Sequence, residues 1–260
     1  MIHAHLAPLL AGAFVLPASD AFVSPGCNPV RLSTLPTASV TVPLRSKEDD
    51  EEILSLPMFI DEAERLSSRP STALAPEEMI LIAKRFLASS GGLGGDPTLL
   101  SPSFTFEGPV VGPLGKDEFV EAIGSVDFAA AFPEFTSEFY GFHVDPFEGD
   151  RVWYTARSRG KNTGPLVPFV PEESGTKRTV VNPPQVCSIT IDHSTGLITK
   201  YTIGYVVDRT VGNTGGLGGL YGILYALGRP LPFPEANPWQ ISIQYELFQK
   251  VGGLLRKLQS

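Results

Sequence analysis

Apolar residues recur along this chain in two rhythms. Between residues 53 and 66, Leu56, Phe59, Ile60, Ala63 and Leu66 share one face of a helix, with Pro57 fitting only its first turn. Residues 67–75 form a linker. A second helix is predicted from Pro76, a residue suited to the first helical position, with Glu77 and Glu78 at the positive end of the dipole. Met79, Ile82, Ala83 and Phe86 make its stripe, and Gly91-Gly92 ends it. Residues 96–100 allow one short helical turn, and the Gly and Pro content of residues 104–115 predicts a strand that bends into a loop. A third helix runs from Lys116, with Phe119, Val120, Ile123 and Phe128 apolar, and ends before Pro133. From Thr136 the period changes. Residues 138–144, 151–159, 179–181, 186–192 and 198–207 are rich in aromatic and β-branched residues and predict strands, with hairpin connections at 148–150 and 192–196. Helices first and antiparallel strands after indicate an α+β domain.

The segment ahead of these elements has the character of an address. Residues 6–16 are apolar and lead to Ala18-Ser19-Asp20-Ala21, where Ser19 and Ala21 suit a signal peptidase. Residues 22–47 contain no acidic side chain, are rich in Ser, Thr and Pro, and carry Arg31, Arg45 and Lys47, a plastid transit composition. The junction through Phe22-Val23-Ser24-Pro25 resembles the Ala-Ser-Ala-Phe-Ala-Pro junction of algae with secondary plastids. Only His3 and His5 precede the apolar run, where a signal peptide usually has Lys or Arg. The expectation is a signal peptide at 1–21 and a transit peptide at 22–47, delivering the chain to the chloroplast stroma or the thylakoid surface. A secretory signal followed by a propeptide is the alternative. Residues 48–75, opening on the acidic run at 48–52, are the N-terminal segment and helix.

Composition narrows the class. About 210 residues follow the leader, the size of one domain with an extension. Hydrophobic residues at 42% and charged residues at 18% allow a sizeable core and exclude wholesale disorder. The net charge of −8 argues against a nucleic-acid surface. Cys27 falls in the leader, so Cys187 is alone in the mature chain; no internal disulfide can form, and a small buried side chain is its expected role. No apolar run approaches the roughly 20 residues that cross a bilayer.

Four segments carry a family resemblance. Residues 100–119, with Ser103-Phe104-Thr105-Phe106-Glu107-Gly108, resemble a bent first strand and the start of the next helix. Ala131-Phe132-Pro133-Glu134 resembles a helix ending in Phe-Pro-Asp. Gly149-Asp150-Arg151-Val152, continuing to Gly160-Lys161-Asn162-Thr163-Gly164-Pro165, resembles a Gly-Asp-Arg-Val strand and its Gly-Thr-His-Thr-Gly loop. Gly196-Leu197-Ile198-Thr199 resembles the Gly-Lys-Ile turn before the last strand. In this order they make residues 76–210 similar to the NTF2-like superfamily, in its SnoaL-like, polyketide cyclase-like branch. The resemblance implies a cone of helices on a strongly curved antiparallel sheet, with an apolar pocket between them. It implies a small apolar ligand, no cofactor, and either acid–base cyclase, isomerase or dehydratase chemistry or no catalysis at all, since the fold hosts both.

The family's acid near the end of the last strand is matched most closely by Asp208, although a gap-free alignment places it at Val206, on the same strand face. Walled by apolar groups, Asp208 would have a raised pKa suited to proton transfer; otherwise it caps the strand or pairs with Arg209. His143, placed by alternation on the face of Phe139 and Gly141, is the second acid/base candidate. Tyr140, Phe142, Trp153, Tyr154, Tyr201 and Tyr205 are mostly core, and all but Tyr201 are taken as candidate ligand contacts. Arg157 would bind an anionic group or lie on a solvated sheet face. His193, in a hairpin turn, is structural. No metal-ligand spacing appears, and the glycine-rich stretches at 91–95 and 212–219 lack a phosphate-loop signature and serve as joints. Residues 211–260 form a C-terminal extension: an apolar stretch at 217–227, a proline-rich one at 230–238, and a helix at 239–258 with Ile241, Tyr245, Phe248, Val251, Leu255 and Leu258 at helical spacing. It would lid the pocket, form a homodimer face, or lie on a thylakoid surface. The alternative to an enzyme is a pigment- or lipid-binding or assembly protein of the plastid.

Overall fold

The structure, a computed structural model, describes residues 53, 55–70, 72–89, 96–240 and 242–259. The expected leader at 1–47, the acidic run at 48–52 and the joint at 91–95 lie outside the described residues. Residues 57–260 form one unit. Its strands are β1 Leu100–Glu107, β2 Leu114–Gly115, β3 Thr136–Val144, β4 Arg151–Lys161, β5 Thr179–Val181, β6 Gln185–Ile191 and β7 Ile198–Val206. They form one sheet in the order β2-β1-β7-β6-β4-β3, with β5 added to β4. Pairing is antiparallel throughout except between β1 and β7, which run parallel. Two glycines let the sheet curl. Gly141 (φ +69°) sits where the β3–β4 register shifts between Tyr140 and His143, and Gly204 (φ +91°) lies in β7 beneath Pro109.

Local chemistry sets the helices. The one predicted at 53–66 is short: α1 spans Glu62–Ser67, because Asp61 caps it by accepting from Glu64 N at 2.9 Å, and Leu56, Phe59 and Ile60 ahead of it are exposed. Helix α2, Pro76–Ala88, starts at the predicted proline and buries Met79, Ala83, Phe86 and Leu87. Helix α3, Lys116–Gly124, stops earlier than predicted. Asp127 caps a separate single turn, α4 (Phe128–Ala131), accepting from Ala130 N at 2.9 Å.

The architecture is α+β: α2 and α3 pack on the concave face of the curled sheet. Phe86, Phe104, Phe119, Tyr154, Ile189 and Tyr201 make its core, with the Phe86 ring edge-on to Tyr201 at 5.1 Å. A second core joins Ala131, Phe132, Leu166, Val170 and Val180 to α5, Gly219–Ala226, through Ile223, Leu224 and Leu227. The apolar stretch of the extension is therefore part of the folded unit. Helix α6, Ile243–Gln259, differs: Ile243, Leu247, Phe248 and Val251 are exposed.

Candidate ligand-binding cavity

A cavity of about 280 Å³ lies between the concave sheet face and the helices. Strand alternation builds its floor: Tyr154, Ala156 and Ser158 from β4, Gln185 and Cys187 from β6, Tyr201 and Ile203 from β7, Ser137 and Phe139 from β3. Phe119, Ala122 and Ile123 of α3 form the roof, continued by Val126 and Phe128. Gly219, Leu220 and Ile223 of α5 line one side. The volume sits near the lower end of the roughly 300–1,000 Å³ of ligand pockets, and so suits a small molecule or the end of a longer one.

Close backbone approach holds the lid. A Cβ on Gly218 would fall against the carbonyl oxygen of Gly204, so only glycine lets the start of α5 lie on β7. The Gly219 N–H donates to Gln185 Oε1 at 3.2 Å, and Thr214 Oγ1 donates to Leu217 O at 2.7 Å. Across the floor, burial drives the Tyr154 phenol well above its ordinary value, and the Tyr201 phenol and the Cys187 thiol beside it add to the rise. Burial raises Tyr201 too and pushes Cys187 up to about 11. All three hold their protons at neutral pH. Among the described residues no carboxylate and no histidine lines this cavity.

Cys187 yields a direct prediction. Its folded pKa is raised from 9.0 to about 11, so its contribution to stability is present below pH 9 and is lost as pH rises through 11. At pH 8.5 the folded chain carries about a hundredfold less Cys187 thiolate than the unfolded one. Iodoacetamide labelling of Cys187, read by mass spectrometry of its peptide, should slow by at least that factor on folding, with steric shielding of the buried thiol adding to it.

Two of the expected site residues line the cavity. Tyr154 is on its floor, and Arg157 is at its exposed edge, its Nε donating to Tyr140 Oη at 3.2 Å. The other six lie elsewhere. Asp208 is exposed in the turn after β7, where it accepts from the Thr210 hydroxyl at 2.6 Å and the Thr210 N–H at 2.8 Å. Those bonds, the hydroxyl's first, lower its pKa, opposite to the expected rise. His143 is also exposed, with Nδ1 3.0 Å from Gly141 O. The bulge at Gly141 inserts a residue and reverses the phase, so His143 pairs with Trp153 and Tyr140 with Thr155 on the convex face, while Phe139 and Phe142 both turn inward. Trp153 there donates Nε1 to Asp145 Oδ2 at 2.7 Å under the Arg151 guanidinium, 4.1 Å from the ring. Phe142 stacks behind Tyr154 at 5.2 Å, a core position. Tyr205 is exposed beside a surface cleft with Arg209 and Trp239. His193 is structural, accepting at Nδ1 from Leu74 N at 3.2 Å. Sequence reasoning missed Ser137, Ser158, Asn182 and Gln185 as lining residues. Period two from Tyr154 finds Ser158; nothing local marks Asn182.

No protein-family model matches the chain, and no curated protein sequence matches it. Solved structures are similar in fold at low identity. A protein from Jannaschia sp. CCS1, provisionally described as a SnoaL-like polyketide cyclase, shares 16% identity over 63% of this chain and 99% of its own, with a TM-score of 0.43. TsrD from Streptomyces laurentii shares 18% over 60% of this chain and 98% of its own, at 0.39. The pinacolase BvnE from Penicillium brevicompactum shares 12% over 49% of this chain and 82% of its own, at 0.37.

Proposed function

We propose that this chain binds a small, largely apolar molecule in the cavity beneath α5 and holds it without acid–base catalysis. The observation that carries the reading is the lining itself. Its walls are aromatic and aliphatic, and its phenols and thiol keep their protons at neutral pH. Proton transfer near neutrality needs a group that titrates there. The candidates for cyclase, isomerase or dehydratase work, Asp208 and His143, stand outside the cavity. We read residues 1–47, on composition, as the address that delivers this binder to a plastid, where a pigment or lipid fragment would be its cargo. The exposed apolar side chains of α6 suit a peripheral membrane contact or self-association.

The test is to purify the full chain and identify what it carries by mass spectrometry of an organic extract. The expected result is an apolar compound near one per chain. It should be absent from Ala156→Trp, which fills the cavity, and retained in the double variant Asp208→Asn, His143→Gln. Equal recovery from Ala156→Trp and wild type would contradict the proposal.

A further inference from the structure

The cavity wall presents one donor whose orientation the fold fixes. Gln185 opens β6, lines the cavity and is 8% exposed. Its Oε1 accepts from the Gly219 N–H at 3.2 Å. That bond settles which end of the carboxamide is which, because a backbone N–H can only donate. Nε2 is the other end, and it has no hydrogen-bond partner among the described residues. Nor is it sealed off: among those residues the one buried side-chain polar atom without a partner is Asn182 Oδ1. Nε2 therefore keeps accessible surface, and the space that Gln185 lines is this cavity. Ser158 leans the same way. Its Oγ already accepts from Asn182 Nδ2 at 2.7 Å, so its proton is the part still to be placed. With no carboxylate and no histidine among the described lining residues, the polar groups here are weighted towards donation.

In water Nε2 is hydrated, and a guest that covers it removes that water. A guest with an acceptor at that point replaces the lost bond; a guest with none leaves a donor unserved, at a cost. An ammonium group brings donors to a donor. A carboxylate would accept, but burying its charge against Phe119, Phe128 and Ile223 costs more than one N–H returns. A hydroxyl accepts too, yet it brings a proton that meets no carboxylate or imidazole. A neutral carbonyl oxygen only accepts, and leaves nothing of its own unserved.

Resting on the binding reading above, we propose that the cavity takes a carbonyl compound: an apolar skeleton whose ketone, aldehyde or ester oxygen accepts from Gln185 Nε2. Gln185 is thereby the specificity-determining residue. Through its Oε1 the same side chain links the bound carbonyl to the start of α5.

The test measures menthone and p-menthane binding to the full chain by equilibrium headspace partition. The two share a skeleton and differ in the ketone. Gln185→Met keeps the bulk and removes the donor, so the ratio of menthone to p-menthane affinity should fall about tenfold. The variant also loses the bond from Gly219, but that loss weakens both compounds alike and leaves the ratio unmoved. Infrared spectroscopy reads the wild type alone: the carbonyl stretch of bound menthone should lie below its position in cyclohexane, and should move back towards it in Gln185→Met. Retained p-menthane shows that the variant is folded; if it is not retained, the wild-type stretch decides. An unchanged ratio, a wild-type stretch at the cyclohexane position, or a wild type that retains p-menthane and not menthone would each overturn the carbonyl inference. In every one of these cases p-menthane binding that Ala156→Trp abolishes leaves the cavity reading standing. If wild type retains neither compound, both the carbonyl inference and the cavity reading fall.

Discussion

Gly218→Ala should lower ligand affinity at least tenfold and cost about 2 kcal/mol of stability. The new methyl would overlap the carbonyl oxygen of Gly204, and the three nearest atoms it would meet all belong to the Gly204 backbone, so no rotamer relieves the clash. The start of α5 must then lift from β7. That breaks the Gly219 N–H bond to Gln185 Oε1 and draws Leu220 and Ile223 away from the cavity. Gly222→Ala is a weaker control for sterics within α5, since its Cβ would also meet Leu217 O but lies past the junction with β7. Calorimetric binding together with urea unfolding separates the two effects. Unchanged affinity in a destabilised Gly218→Ala would show that the lid does not hold the ligand.

Asn162→Ala should be the most destabilising single polar substitution in the described residues, at about 3 kcal/mol or more. Asn162 is fully buried where β4 leaves the sheet. Its Nδ2 donates to Ala131 O at 3.1 Å and Gly164 O at 2.8 Å, and its Oδ1 accepts from Thr176 N at 2.6 Å. One side chain thus serves three backbone groups; alanine takes these bonds from Gly164 O and the Thr176 N–H, while Ala131 O keeps the Thr163 and Gly164 N–H groups. Because these bonds tie α4 to the 162–178 loop on which α5 packs, the same variant should also loosen the lid. Denaturant unfolding by circular dichroism measures the loss; a change under 1 kcal/mol would refute this account of the residue.

How far the sequence can be read depends on how local the determinant is. The α2 stripe and the strands are legible because periodicity of 3.6 or 2 is written into adjacent residues, and the apolar stretch at 217–227 announces a packed segment. The site is less legible. From Phe139, strict alternation turns His143 inward; the extra residue at Gly141 turns it outward, and a glycine between aromatics does not show which way a bulge will shift the phase. Asp208 lies two residues beyond the end of β7, so the parity that keeps Val206 and Asp208 on one strand face no longer applies; the chain has turned, and Thr210 takes the carboxylate. Asn182 follows a strand of three residues and precedes two prolines, and only the long-range pairing of β5 with β4 brings it to Ser158.

An apolar cavity, open to a small guest, lies between α3, α5 and the curled sheet. Xenon tests it without assuming a chemistry, because it enters apolar cavities and ignores hydrogen bonds. Methyl-labelled chain observed by carbon–proton NMR under xenon pressure should show saturable shifts at Ile123, Val126, Ile203 and Ile223, which line the cavity, and none at the exposed Ile60, which does not. Absence of saturable shifts at those four residues would contradict the account.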